Sequence, residues 1–197
     1  LNLGYTVDCV IPSEFLTKQV AEKLGNKSKI YNCGFEKVDV SKKYDLIIFS
    51  ESFQYVKMTE SLQKTVDMLR PGGYLLICDF FRKEGPEKSP LGGGHSWENF
   101  QVAMSSSSLK LIRDLDITNE TAPTIDLMDQ FGREVLKPMT EMSGGYLYDS
   151  YPNIMRFFYW KFKKRLKKIQ HIYLSGEVNE ANFKKFKTYH LLLYQRI

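Results

Sequence analysis

The 197 residues, 43% hydrophobic and 14% aromatic, suffice for one α/β domain with a small appended piece and exclude a disordered tail. The net charge of +5 is uneven: residues 151–197 hold 11 Lys and Arg against Glu177 and Glu180, a local +9 that leaves −4 on the rest, which excludes a uniformly basic nucleic-acid binder. Cys9, Cys33 and Cys78 have no metal or redox spacing, so a reducing, cytoplasmic location without disulfides or a metal centre is expected, and no apolar run approaches the roughly 20 residues of a membrane span.

In chain order, Leu1-Asn2-Leu3-Gly4 reads as the end of a helix cut from a longer chain. Residues 6–11 form a short β-branched apolar run. Pro12-Ser13 opens a helix that ends at Leu24, with Ser13 as N-cap and Gly25 as the stop. A second brief strand is predicted over 28–32. The run YDLIIF at 44–49 is apolar throughout, as in a strand buried on both faces. Leu62, Val66 and Leu69 give 59–69 helical spacing, and Arg70-Pro71-Gly72-Gly73 reads as a turn that stops it. A buried strand over 74–79 follows, then a Gly/Pro-rich loop to Gly94, a helix over 96–104 and a strand over 109–115. Residues 121–187 read as mostly helical, and 189–196 as a terminal strand.

Strands alternating with helices imply a mostly parallel sheet with helices on both faces. The expected division is a core at 1–120, a helical insertion at 121–187 and the last core strand at 188–197. The insertion is either a substrate lid or a structural cap.

YDLIIFSESFQYV at 44–56, followed about 20 residues later by LRPGGYLLI at 69–77, resembles the fourth strand, helix, turn and fifth strand of class I, Rossmann-like S-adenosylmethionine-dependent methyltransferases. Gly4-Tyr5-Thr6-Val7 with the helix after Ser13 is similar to that family's second strand and helix. The resemblance covers residues 1–118 and the last strand. It implies the strand order 3-2-1-4-5-7-6, with strand 1 and its glycine-rich loop lacking. That in turn implies roughly 40–80 further residues upstream in the natural protein.

The resemblance also implies S-adenosylmethionine as cofactor and methyl transfer to a small, hydrophobic acceptor, oxygen slightly ahead of carbon or nitrogen. The alternative is a methyltransferase-like binding or regulatory module without turnover. Two departures support that alternative. Ile11 falls where relatives carry the carboxylate for the ribose hydroxyls, Asp8 lying too early and Glu14 one turn into the helix. Gly34-Phe35-Glu36 stands where an adenine-contacting aspartate is usual, leaving Phe35 to stack on the ring or Glu36 to face its amine.

Ser50, Glu51 and Gln54 follow a parallel strand at its carboxyl edge, where open α/β sheets bind ligands, and the resemblance makes them cofactor contacts. Tyr55, Asp79 and Asp116 are the expected substrate contacts. Capping, packing and turn roles are open for each. His95, after Gly92-Gly93-Gly94, is the best candidate for general base, since an imidazole takes up a proton near neutral pH. His171 and His190 read as structural. Ile154, Phe158, Phe162, Leu166, Ile169 and Tyr173 form one helical stripe among seven Lys and Arg. Its readings are a solvated basic face, peripheral membrane or lipid contact through residues 154–173, and, least, nucleic acid.

Overall fold

The computed structural model describes residues 3–39 and 41–197, except the side chains of Asn26 and residues 168–174. Leu1 and Asn2 of the expected helix end lie outside the described residues, as do the side chains of His171, Ile169 and Tyr173.

The chain divides into two compact units. The first comprises Leu1–Asp79, Asn99–Asp114 and Leu191–Ile197, and the second Phe80–Glu98 and Leu115–His190. Strands β1 (Cys9–Val10) and β2 (Ile30–Tyr31) pair in parallel as a sheet of their own. Between them lies α1 (Glu14–Leu24), where the Ser13 side chain accepts from the Leu16 amide at 3.4 Å, the N-cap that the sequence predicts.

A second sheet has the order β3-β4-β6-β5, built from β3 (Tyr44–Ser50), β4 (Leu69–Arg82), β5 (Leu109–Asp116) and β6 (Lys187–Arg196). β3 and β4 run parallel. Bonds from Ile197 to Ser108 and from Ile117 to Tyr189 set β6 antiparallel to β5. The α/β class is as expected, and helices α2 (Met58–Met68) and α3 (Trp97–Ser105) fall within one residue of their predicted spans.

Two expectations are corrected. Arg70-Pro71-Gly72-Gly73 does not separate helix from strand but bulges out of β4: Tyr44 pairs with Leu69 and Leu46 with Tyr74, so two steps on β3 face five on β4. Gly73 is required there, because a Cβ would lie 3.0 Å from the Arg70 carbonyl oxygen and 3.2 Å from that of Asp45. β3 is buried on one face only. Ile47 and Phe49 are in the core, whereas Leu46 and Ile48 are exposed, since no described residue covers that face.

The core of the first unit is a chain of edge-to-face aromatic contacts. Phe35 meets Phe49 at 4.8 Å, Phe49 meets Phe53 at 5.3 Å, Phe53 meets Phe100 at 5.6 Å and Phe100 meets Tyr194 at 6.3 Å. Burial together with the charge of Asp114 pushes the Tyr194 phenol up to about 12.

In the second unit, α4 (Thr118–Phe131), a π-helical turn at Gly132–Leu136, α5 (Lys137–Ser150), α6 (Pro152–Leu174) and α7 (Glu180–Phe186) supply the mostly helical segment expected before the last strand. α4 packs on α7 and α5 on α6. The seam of α6 differs from the expected stripe: Met155, Phe162 and Leu166 are half-buried, while Ile154 faces outward. No helix among the described residues is long and apolar enough to cross a membrane.

Candidate functional site

In the first unit the polar residues gather at the carboxyl ends of β3 and β4. Ser50 ends β3, and Glu51 after it has φ 52°, the left-handed region that side chains avoid at a cost of about 1–3 kcal/mol. The Glu51 amide donates to the Cys78 carbonyl at 2.9 Å, which locks this reversal against β4. A short 3-10 turn, Phe53–Tyr55, follows. Its Phe53 is fully buried, so the turn is held from below by the aromatic core.

Asp79 is 0% exposed on β4 and accepts from the Gln54 amide at 3.0 Å and from Gln54 Nε2 at 3.2 Å. A buried carboxylate is costly unless hydrogen-bonded, and here that requirement fixes the turn after β3 rather than the loop after β4. Ser50, Glu51, Gln54 and Asp79 are thus brought together. Tyr55, by contrast, is 80% exposed.

The expected adenine and ribose positions are more occupied. The Phe35 ring is buried against Phe49. Glu36 Oε1 accepts from the Lys57 amide at 2.7 Å, and that bond, despite some burial, holds the carboxyl below the usual carboxylate range. Gly34 sits tightly beside it: an added Cβ would meet Glu36 Oε2 at 2.9 Å. Ile11 is half-buried, and its carbonyl accepts from Asn32 Nδ2 at 2.9 Å and from Thr17 Oγ1 at 3.3 Å.

Asp8 is committed elsewhere. It accepts from the Lys29 amide at 3.2 Å, Lys42 Nζ at 2.6 Å and the Tyr44 hydroxyl at 2.9 Å. Burial raises its pKa, but these donors outweigh burial and leave it lowered. In turn, burial, Tyr31 and the Asp8 charge push the Tyr44 phenol up.

In the second unit His95 lies on a loop with two anchors. Gly94 has φ +78° and passes so close to Phe80 that a Cβ would lie 3.1 Å from its ring. Lys187, only 1% exposed, donates to the Gly92 carbonyl at 3.1 Å and the Gly93 carbonyl at 2.5 Å, with its Nζ 5.2 Å from the Phe80 ring centre. No carboxylate pairs with Lys187 among the described residues. Burial, with the nearby Arg82 charge, pulls its pKa down to about 8. The His95 carbonyl accepts from the Arg82 amide at 2.7 Å.

Asp116 enters a buried network on the same unit. Its carboxylate accepts from the Thr118 amide at 2.9 Å and from the Thr118 hydroxyl, and from the Thr188 hydroxyl at 3.5 Å. Thr188 Oγ1 lies 2.7 Å from His190 Nε2, and the His190 ring stacks on Trp97 at 4.1 Å with 12° between planes. Burial raises the Asp116 pKa, but the Thr118 bonds and the His190 charge outweigh it and leave it lowered. Sequence reasoning missed Lys187 and the Thr188–His190 pair. The available signal was period-two polarity: Thr188 and His190 share one face of a terminal strand whose middle, Leu191–Tyr194, is apolar or aromatic.

Chemically, the first unit presents a hydroxyl, a carboxylate and an amide beside a fixed turn, which suits a ligand carrying hydroxyl and ammonium groups. The second presents an imidazole on an anchored loop. No group of three metal-ligating side chains occurs among the described residues.

No family model matches the sequence, and no curated protein is similar to it. Solved structures are. Geranyl diphosphate C-methyltransferase from Streptomyces coelicolor A3(2), in complex with Mg2+, geranyl-S-thiolodiphosphate and S-adenosyl-L-homocysteine, is 15% identical with a TM-score of 0.65, over 98% of this chain and 62% of that one. The StiE O-MT is 19% identical with a TM-score of 0.60, over 96% of this chain and 58% of its own. The O-methyltransferase of a trans-AT PKS multienzyme of Brevibacillus brevis, in complex with S-adenosyl-L-homocysteine, is 14% identical with a TM-score of 0.59. The chain spans 58% of the StiE and Brevibacillus chains, so the likeness covers about three-fifths of those proteins.

Proposed function

From the class I, Rossmann-like methyltransferase fold that these likenesses establish, we propose that the protein transfers a methyl group from S-adenosylmethionine to a small, hydrophobic acceptor, oxygen slightly ahead of carbon or nitrogen. The observation that carries this reading is the strained Glu51 beside Ser50, with Gln54 clamped by buried Asp79, at the strand ends where such sheets take their ligands. Ser50, Glu51 and Gln54 fit the polar parts of the cofactor. Ile11 contributes no carboxylate toward the ribose, so Gly34 and Glu36 are left to border the adenosyl group, with Phe35 beneath as core.

When bound, the cofactor supplies a sulfonium methyl, whose carbon–sulfur bond breaks as the bond to the acceptor forms. The rest falls to the chain. Position and water exclusion are the main contributions to such a displacement. In the first unit Tyr55 is proposed to border the acceptor, with buried Asp79 acting on it only through the turn it holds at Gln54. In the second unit, taken by itself, Asp116 is proposed as a polar contact and the His95 imidazole as the group that takes a proton from an acceptor hydroxyl. Lys187 and Gly94 keep that imidazole in place by holding its loop.

The core-and-insertion division at 1–120, 121–187 and 188–197, with the insertion as lid, belongs to the same reading, as does work in the cytoplasm. So does a strand between β1 and β3. Its support is that the β1–β2 pair stands as a separate sheet while β3 is the edge strand of the other, pairing with β4 alone among the described strands.

The test is transfer of a labelled methyl group to phenolic and lipid-like acceptors, wild type against His95→Ala. A general base is worth about 10²–10⁴-fold, so kcat falls by that much while cofactor affinity is kept. Unchanged turnover in the variant refutes the role of His95. A wild type that binds cofactor but methylates nothing turns the reading into the binding module.

A further inference from the structure

The end of α5 and the start of α6 form an exposed aromatic corner that neither the proposed chemistry nor the core uses. Only Tyr151 separates the two helices, and bonds from Tyr151 to Leu147 and from Met155 to Tyr151 hold the corner closed. Met142 is 78%, Tyr146 71%, Ile154 65%, Phe157 58% and Trp160 75% exposed. Scattered apolar residues on a surface are ordinary; a group concentrated at one helical corner, with the Phe157 and Trp160 rings 5.9 Å apart, marks something that covers it.

Charge says what the cover is. α6 is segregated along its length rather than around it. Its first part, through Trp160, is mostly apolar and aromatic, with Arg156 as its one charge, and the next stretch begins Lys161, Lys163, Lys164 and Arg165. Residues 150–176 carry seven Lys and Arg and no Asp or Glu, the stretch being bounded by Asp149 and Glu177. None of Lys161, Lys163, Lys164, Arg165 and Lys167 pairs with a carboxylate among the described residues. Lys161 instead lies 5.8 Å from the ring centres of both Phe157 and Phe162. At 1.5 Å per residue, Lys164 stands about 6 Å along the helix from Trp160, comparable to the depth between the acyl boundary and the phosphate layer of a bilayer.

We propose that the α5–α6 corner docks on an anionic lipid bilayer, with Met142, Tyr146, Ile154, Phe157 and Trp160 entering the interface and the following cations resting on lipid phosphates. The half-buried seam of Met155, Phe162 and Leu166 ties α6 to its own unit and leaves the corner end of the helix exposed. A second copy of the chain is a poorer occupant, since it would bring the same seven positive charges to the contact. A nucleic acid would use the cations but leave Ile154 and Met142 with nothing apolar to meet.

The test is co-sedimentation of the whole chain with vesicles of phosphatidylcholine and phosphatidylserine, against phosphatidylcholine alone. Binding to the anionic vesicles alone is expected, weakened by salt, with a blue shift of emission that Trp160→Phe abolishes. Removing one cation costs about fivefold, the equivalent of about 1 kcal/mol, so the triple variant K161Q/K163Q/K164Q binds roughly 100-fold more weakly. The variant F157S/W160S loses the residual attachment at high salt. Circular dichroism shows that each variant is folded.

The proposal is overturned if the folded wild type ignores anionic vesicles, or if the triple variant binds as well as wild type. Preferential capture of an RNA oligonucleotide, or self-association that shields Trp160 in place of vesicle binding, overturns it as well. The assay needs no cofactor, so its failure leaves the methyl-transfer reading untouched.

Discussion

Lys187 offers a prediction whose sign and size both follow from its surroundings. Although the ammonium donates to two glycine carbonyls, it is 1% exposed, and burial, with the Arg82 charge nearby, pulls its pKa from 10.5 down to about 8. Below pH 8 the folded and unfolded chains both hold this proton, and the native state bears the full cost of the buried charge. Between about pH 8 and 10.5 the native state has released it while the unfolded state has not, so stability rises with pH.

For a displacement of this size, wild type gains about 2 kcal/mol between about pH 7 and pH 9.5 relative to a variant without the group. Lys187→Met supplies that reference at similar volume. The assay is urea unfolding of both proteins across the window. The variant is the more stable at neutral pH, and the difference shrinks by about 2 kcal/mol at the alkaline end. The window stays clear of Tyr44 and Tyr194, whose raised pKa values contribute stability that is complete below about pH 10 and is lost only above it. A difference between wild type and Lys187→Met that stays constant or grows with pH refutes the reasoning.

Further outcomes follow from single positions. Gly94→Ala forces a side chain into a left-handed backbone beside Phe80, and urea unfolding should show a loss of about 1–3 kcal/mol. Its kcat should also fall, because His95 is the next residue. The lowered pKa of Asp8 contributes stability that is present above its unfolded value of 3.8 and lost as pH falls through the folded one. Asp8→Asn should therefore flatten thermal stability between about pH 5 and pH 2, while wild type drops.

How far the sequence foretold this structure depends on whether a signal was local. α1 ends where expected because Ser13 and Gly25 are local chemistry, and β3 and β4 stand out because an apolar run needs no partner to be recognised. The burial of β3 on one face and not the other depends on neighbours, which an apolar run cannot report. Arg70-Pro71-Gly72-Gly73 carries the composition of a turn, yet it sits inside β4 because pairing of Tyr44 with Leu69 holds the strand on its far side. The outward turn of Ile154 has the same origin: helical spacing names a stripe, and only packing chooses between Ile154 and Met155.

At the candidate site, Ser50, Glu51 and Gln54 were legible from their place at and just after the end of β3, whereas Asp79, expected to end its strand, lies inside β4, which runs on to Arg82. The left-handed backbone of Glu51 was not legible, since nothing short of the Cys78 contact requires it. Lys187 was hidden for another reason. A lysine at the start of a strand is ordinarily solvated, and its burial follows only from a loop nearly 100 residues earlier folding over it.

The central claim, that the ends of β3 and β4 hold an adenosyl-methionyl ligand, is tested most directly by calorimetric titration of S-adenosylhomocysteine into the full-length protein, alongside Glu51→Ala and Gln54→Ala. One site of micromolar affinity in the wild type, weakened at least tenfold in each variant, about 1.4 kcal/mol, is the expected result. No heat of binding from a protein shown to be folded would contradict the account.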